Sequence, residues 1–261
     1  MSTTICISNE KGGVAKTTTS LSLGAALVDL GQRVLLIDLD AQANLTLSLG
    51  FEPGESKLTS SDLMLDNATM QNICRKTDVE NLDLIPSSSR IETSEQFLPM
   101  RTNHTTILQR AIASANLSYD YIILDCPPAL GAITQNALAA ANLLLIPTQA
   151  EYFSAYALRN MMTLIRRIRE EDNPGLAYRI LVTMLDKRNR THRNINEQLR
   201  TTFGEGVFNT LIEVDTKLRE SSIVGMPITR YKPSARSSMQ YRVLAQELME
   251  YAKETQNRQT A

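Results

Sequence analysis

The sequence has little of what several protein classes require. Three cysteines, Cys6, Cys74 and Cys126, are scattered along 261 residues with no paired spacing. That argues against a disulfide scaffold and against a zinc module, and it suits a reducing cytosol. Two histidines, His104 and His192, leave little for a His-based metal or acid–base centre. No apolar run approaches the roughly 20 residues that span a bilayer, and Met1 to Ser8 lacks a signal-peptide pattern. No internal repeat and no Pro/Gly-rich linker divides the chain. Net charge is nearly absent too, with 27 Lys and Arg against 28 Asp and Glu. Such a total argues against a nucleic-acid partner only if the charge is spread evenly. Residues 1–149 hold nine basic and fifteen acidic groups, residues 150–261 eighteen and thirteen. A chain neutral overall can therefore carry one positive face.

What is present is a substantial apolar content, 43%, enough for a sizeable core at this length. Thr3 to Ser8 is a short β-prone run, and Arg33-Val-Leu-Leu-Ile-Asp38 is nearly all apolar. The same pattern recurs at Tyr121–Asp125, Leu143–Ile146 and Tyr178–Thr183. Helical spacing occupies Thr19 to Leu30 with a stop at Gly31, then Thr105–Asn116, Gly131–Ala141 and Ala155–Glu171. Strands that are apolar on both faces and alternate with helices predict a doubly wound, mostly parallel α/β sheet with helices on both faces. Residues 52–104 are less regular and read as short helices around a strand near Leu82–Pro86. A closing helix is expected from Ser237 to about Thr255. The expected organisation is a single domain over 1–255, with a frayed polar tail over 256–261.

Three segments carry chemistry. The first is the loop Glu10-Lys-Gly-Gly-Val-Ala-Lys-Thr-Thr18, between a strand and a helix. Backbone N–H groups at a helix N-terminus favour phosphate, and glycines let the chain wrap it closely. Lys16 would neutralise the β- and γ-phosphates, and the Thr17 hydroxyl would ligate Mg²⁺. The ordinary phosphate-loop spacing is not met, because Glu10 and Ala15 occupy its outer glycine positions. Taken alone, the loop also reads as a Gly-Gly turn before a threonine-rich helix. The second segment, Leu35-Leu-Ile-Asp-Leu-Asp-Ala-Gln42, places Asp38 and Asp40 two apart at a strand's carboxyl end, where open α/β sheets bind ligands. The third, Tyr119-Asp-Tyr-Ile-Ile-Leu-Asp-Cys-Pro-Pro128, ends a strand in Asp125, which fits a carboxylate that holds Mg²⁺ through water.

In this order the three segments resemble the deviant Walker A ATPases of the ParA/MinD family. Lys11-Gly-Gly-Val-Ala-Lys-Thr17 is similar to the family's K-G-G-x-G-K-T, with Ala15 in place of the usual glycine. Ile146-Pro-Thr-Gln149 and Gly225-Met-Pro-Ile228 extend the likeness over about residues 3–250. The resemblance implies a P-loop NTPase fold and ATP bound by Lys11, Gly12, Gly13, Val14, Ala15, Lys16, Thr17 and Thr18. It implies Lys11 crossing to the nucleotide of the other subunit in an ATP-bound homodimer. Asp40 would orient the attacking water, while Asp38 with Thr17 and Asp125 would serve Mg²⁺. A single methyl at Ala15 is accommodated if that residue keeps a negative φ, with nucleotide affinity or turnover open to change.

No helix-turn-helix extension is seen at the N-terminus, so the chain resembles the short, Soj-like ParA form. That branch implies nonspecific DNA, a ParB-like adaptor that stimulates slow hydrolysis, a partitioned or positioned cargo, and a cytoplasmic, nucleoid-associated location. The run Lys187-Arg-Asn-Arg-Thr-His-Arg193 and later cations form the positive half. Arg188, Arg190, Lys217 and Arg219 are the candidate DNA contacts, read as lying on a sheet-edge loop. The alternative is a MinD-like membrane-associated or DNA-independent positioning ATPase. Glu247, Glu250 and Glu254 interrupt the apolar stripe of the closing helix, which disfavours contact with anionic lipid. An iron–sulfur reductase, which also has such a loop, would need cysteines paired at a dimer axis, and Cys74 is poorly placed as a second to Cys126.

Overall fold

The computed structural model describes residues 2–65, 68–115, 117–152 and 154–260. The expected helix end at Asn116 lies outside them. Strand β1 (Thr3–Ile7) leads through the glycine loop into α1 (Lys16–Asp29), which begins three residues earlier than its apolar spacing suggests. α1 stops as expected: Gly31 has φ +81°, and the Gly31 and Gln32 N–H groups donate to the Val28 and Leu27 carbonyls. β2 (Val34–Asp38) follows, then the short helices α2 (Asn44–Leu47), α3 (Ser60–Leu65) and α4 (Met70–Ile73). A two-residue strand β3 (Arg75–Lys76) pairs antiparallel with β4 (Leu82–Ile85). Next come α5 (Ile91–Phe97), α6 (Ile107–Ser114), β5 (Tyr121–Asp125), α7 (Ala132–Ala140), β6 (Leu143–Gln149) and α8 (Ser154–Glu171).

The C-terminal part holds elements that the apolar pattern does not announce. After β7 (Ala177–Leu185) come α9 (Arg190–Phe203) and β8 (Val207–Glu213), then α10 (Thr216–Val224), α11 (Ile228–Tyr231) and α12 (Arg236–Thr260). α9 is mostly polar and buries only a narrow stripe through Ile195, Leu199 and Phe203. β8 is an edge strand, so Asn209 and Thr210 interrupt its apolar residues. α12 runs on to Thr260, past the expected helix end near Thr255, and no Gly or Pro lies there to stop it.

Among the described residues eight strands run in the order β3-β4-β2-β5-β1-β6-β7-β8, all parallel except β3. Alternate residues feed two cores. Cys6, Leu35, Ile37, Leu124 and Leu144 face one core with residues of α7 and α8, while Ile5, Ile7, Leu36 and Ile123 face the other with α1 and α12. Coverage of both faces is why β2 and β5 are buried at every residue. Thr19 and Tyr241 join α1 to α12 by a buried hydroxyl contact of 3.1 Å.

One helix start is capped by a remote carboxylate. Glu95 on α5 accepts from the Ala132 and Ile133 N–H groups (2.6 and 3.0 Å), so a residue from another helix caps the start of α7. A Cβ on Gly131 would sit 1.7 Å from the Glu95 Oε1 atom. The start of α7 is thereby tied to α5.

Candidate functional site

The parallel register brings the three sequence segments to one edge of the sheet. Ile7 pairs with Asp125, and Asp38 pairs with Asp125, so the carboxyl ends of β1, β5 and β2 lie side by side. The glycine loop crosses that edge and is tied down at both ends. Asn9 Nδ2 donates to the Pro147 carbonyl (2.7 Å), and its Oδ1 accepts from Lys11 N–H (3.0 Å). Thr183 Oγ1 donates to the Val14 carbonyl (3.1 Å), and Gln149 Nε2 to the Gly13 carbonyl (3.2 Å). The first-turn N–H groups of α1, at Lys16, Thr17 and Thr18, have no side-chain cap and no acidic neighbour in that turn. An uncapped N-terminus of a 14-residue helix at a glycine turn is an anion cradle.

The loop geometry does not meet the condition on Ala15. Ala15 lies at φ +67°, ψ +36°, in the left-handed region, beside Gly13 at φ +73°. The methyl is therefore held in strained backbone, which costs about 1–2 kcal/mol for an L-residue. Ala43, three residues past Asp40, and Met184, next to Thr183, are also left-handed at φ +50°. Ala15 and Ala43 follow the carboxyl ends of β1 and β2, and Met184 is the penultimate residue of β7, all around the same edge, where strain of this kind concentrates at working sites.

Lys16 is buried, and its Nζ donates to the Lys11 carbonyl (3.1 Å), folding the ammonium back over the loop. Burial lowers its pKa, and the nearby Asp125 and Asp40 charges oppose that shift. Asp125 is 1% exposed; its Oδ1 accepts from Ser20 Oγ (2.8 Å), and its Oδ2 is buried with no partner among the described residues. Burial, then the charge of Asp38, pushes Asp125 up to about 7, although the Ser20 and Thr17 hydroxyls pull it down. Asp38 is fully buried and is pushed up to about 6 by desolvation against its hydrogen bonds from Thr46. Two carboxyls this close and this dry share the cost of ionisation, so they titrate as a pair.

No cluster of three or more His, Cys, Asp or Glu suited to a metal occurs among the described residues. Mg²⁺ does not need one, since it is commonly held by one or two carboxylates plus phosphate oxygens and water. The orphaned Asp125 Oδ2, next to Thr17, fits that requirement. Asp38 does not present a free oxygen in the same way: it accepts from Asp40 N–H, Thr46 N–H and Thr46 Oγ1 (3.1, 2.9 and 2.7 Å). Asp40 is half-buried at the rim. Lys11 is held within its own chain, where its Nζ donates to Glu151 Oε2 (2.5 Å) and Gln149 Oε1 (3.2 Å).

Residues 2–178 match the model of an AAA domain family. The chain is 38% identical over 245 residues to the sporulation initiation inhibitor protein Soj of Bacillus subtilis, covering 94% of this chain and 97% of that protein. The chain belongs to the Soj/ParA family of P-loop ATPases. Another relative is the chromosome partitioning protein ParA of Caulobacter vibrioides, 33% identical over 97% of this chain and 96% of that one. Among solved structures, a cobyrinic acid a,c-diamide synthase from Mycobacterium smegmatis with a bound ATP analogue and magnesium superposes with TM-score 0.87 at 30% identity, covering 97% and 96%. An ATP complex of a McdA variant from Cyanothece shares the fold (TM-score 0.83, 21% identity, 95% and 96% covered).

The Soj/ParA-type chain places its four candidate DNA residues at the far end of the same sheet edge, beyond β7 and β8. Arg190 lies not on a loop but at the first position of α9, with Asn189 as its N-cap. Arg188 is bound to Asp186 by Nε and Nη2 (both 3.1 Å), and Lys217 donates to both oxygens of Glu220 (2.9 and 2.7 Å). Arg190 and Arg219 are exposed and have no side-chain partner among the described residues. His192 has a role the sequence did not disclose: its Nδ1 accepts from Asp186 N–H (3.1 Å) and fixes the turn. Ser20, Thr46, Gln149, Glu151 and Thr183 were likewise missed as site residues. Only Gln149 had a sequence signal, through its place in Ile146-Pro-Thr-Gln149.

Two measurements check this geometry. Ala15→Gly removes the left-handed penalty while adding unfolded-state freedom, so a net gain of up to about 1 kcal/mol is expected in urea unfolding with an unchanged m-value. A loss of stability would mean that residue 15 is not left-handed in solution. Between the ordinary carboxylate range and pH about 7, the folded chain holds protons that the unfolded chain has released. Stability without ligand should therefore fall as pH rises from 4 to 7, and Asp125→Asn should flatten that slope. A slope equal in both proteins would remove Asp125 from the buried pair.

Proposed function

We propose that this chain is an ATP hydrolase working as a nucleotide-switched dimer that binds nonspecific DNA and partitions or positions a cargo. The observation that carries the reading is the buried Lys16 ammonium beside Asp125 and Asp40, at an uncapped helix N-terminus. Phosphoanhydride hydrolysis needs positioning and charge neutralisation more than a strong base. Gly12 to Thr18 would cradle the phosphates, with Lys16 compensating their charge. Mg²⁺, when bound, supplies charge neutralisation between phosphate oxygens, and Thr17 and Asp125 are the residues that would hold it, with Asp38 behind them. Asp40 would orient the attacking water. Lys11 would serve the nucleotide of the other subunit, exchanging its contacts with Glu151 and Gln149.

The basic run supports the DNA part of the reading on physical grounds. Arg190 and Arg193 sit in the first turn of α9, where the helix dipole disfavours cations. Phosphate binding offsets that cost, because the cations and the dipole then attract the same anion. With Arg188 and Lys217 already paired, Arg190 and Arg219 are the better donors, and Lys217 the weaker one. A ParB-like adaptor and a nucleoid location follow from the family reading. The MinD-like alternative is disfavoured by α12: Tyr241, Leu244 and Leu248 are buried in the core, and Glu247 accepts from the Asn209 and Thr210 N–H groups (2.6 and 2.9 Å). No helix among the described residues is long and apolar enough to cross a membrane.

Asp40→Ala should bind ATP and be retained on nonspecific DNA with ATP, yet hydrolyse at least about tenfold more slowly. Arg190→Glu with Arg219→Glu should lose DNA retention while keeping ATPase activity, with a shallower dependence on salt. Normal turnover in Asp40→Ala would remove its assigned role. Retention equal with ATP and ADP, or unaffected by the arginine changes, would remove the DNA switch.

A further inference from the structure

The loop that carries Asp40 is closed on itself by a chain of hydrogen bonds, buried at Thr46, that ends just past a different strand. Asp38 Oδ1 accepts from Asp40 N–H (3.1 Å), and Asp38 Oδ2 accepts from both the N–H and the hydroxyl of Thr46 (2.9 and 2.7 Å). The Thr46 oxygen in turn accepts from Ser87 N–H (2.9 Å), just past the end of β4. Asp38, Thr46 and Ser87 are all fully buried, so no water replaces a missing partner cheaply. The Thr46 hydroxyl is thus used twice, as donor to Asp38 and as acceptor from Ser87. Valine has the same shape and can do neither, whereas serine can do both.

The structure assigns Thr46 as a positioning residue for hydrolysis: it fixes Asp38, and through it the backbone at Asp40, against β4. The assignment deepens the proposed ATPase reading and rests on it. Thr46 belongs to the four-residue helix α2, directly after the left-handed Ala43. Residues 38 to 46 form a short arc with a strained bend inside it, held at both ends by the one carboxylate. An arc of that kind keeps Asp40 in place only while its anchor holds. The glycine loop, by contrast, is anchored independently on β6 and β7 through Asn9, Gln149 and Thr183. Loss of the Thr46 hydroxyl should therefore separate turnover from nucleotide affinity.

The test compares the full chain with Thr46→Val and Thr46→Ser for Mg²⁺-ATP affinity, single-turnover hydrolysis and amide exchange at Ser87. Thr46→Val should hydrolyse at least about tenfold more slowly with affinity within about twofold of the parent, and the Ser87 amide should lose protection. Thr46→Ser should recover the rate to within about threefold and keep that protection. Parent-like turnover in Thr46→Val overturns the assignment, as does unchanged protection of Ser87. Equal loss of affinity and rate in both variants would also overturn it, because that is the mark of general destabilisation. If the parent chain itself shows no turnover above Asp40→Ala, the ATPase reading fails first and takes this one with it.

Discussion

Two buried carboxyls, Asp38 and Asp125, stand opposite each other in the register of β2 and β5, and the site is organised around the cost of that placement. Taking both from water disfavours both charges, and each makes the other harder to ionise. The fold answers with hydroxyls from Ser20 and Thr46 and with the buried Lys16 ammonium nearby. One oxygen, Asp125 Oδ2, is left without any of these. A site built with too little positive charge around it is suited to a ligand that brings a divalent cation with its phosphates.

The same sheet edge links the nucleotide end to the basic end. Gln149 and Thr183 tie the glycine loop to the carboxyl ends of β6 and β7, and the turn after β7 carries Lys187 to Asn189. Lys187 in turn pairs with Glu213 at the end of β8, 3.0 Å away, and Arg236 of α12 shares that carboxylate. The loop that would meet phosphate is therefore one strand removed from the turn that would meet DNA. In a parallel sheet, carboxyl ends collect on one edge by topology, so this adjacency needs no special device.

Much of the nucleotide end was legible because it rests on local rules. Apolar strands ending in Asp38 and Asp125, and a glycine loop before a helix, announce themselves in a few consecutive residues. The mostly parallel sheet and its two-faced core followed from the alternation of strands and helices. What stayed hidden depends on contacts distant in sequence. Thr46 meets Ser87 across 41 positions, and Thr183 reaches Val14 across 169. The basic end was read as a loop because charge masked the narrow apolar stripe of α9 (Ile195, Leu199, Phe203). The conformation of Ala15 stayed hidden for a different reason: residue type gives no sign of a positive φ, whereas tertiary anchoring of the loop on both sides holds it at +67°.

Binding of a nucleoside triphosphate with Mg²⁺ through Lys16 and the carboxylates behind it is the property on which the proposed function depends. Equilibrium dialysis of ATP against the parent chain and Lys16→Ala, with and without Mg²⁺, tests it most directly. Saturable binding by the parent is expected, weaker without Mg²⁺ and at least about tenfold weaker in Lys16→Ala, because a buried phosphate charge would go uncompensated. Equal binding by the two proteins would contradict it.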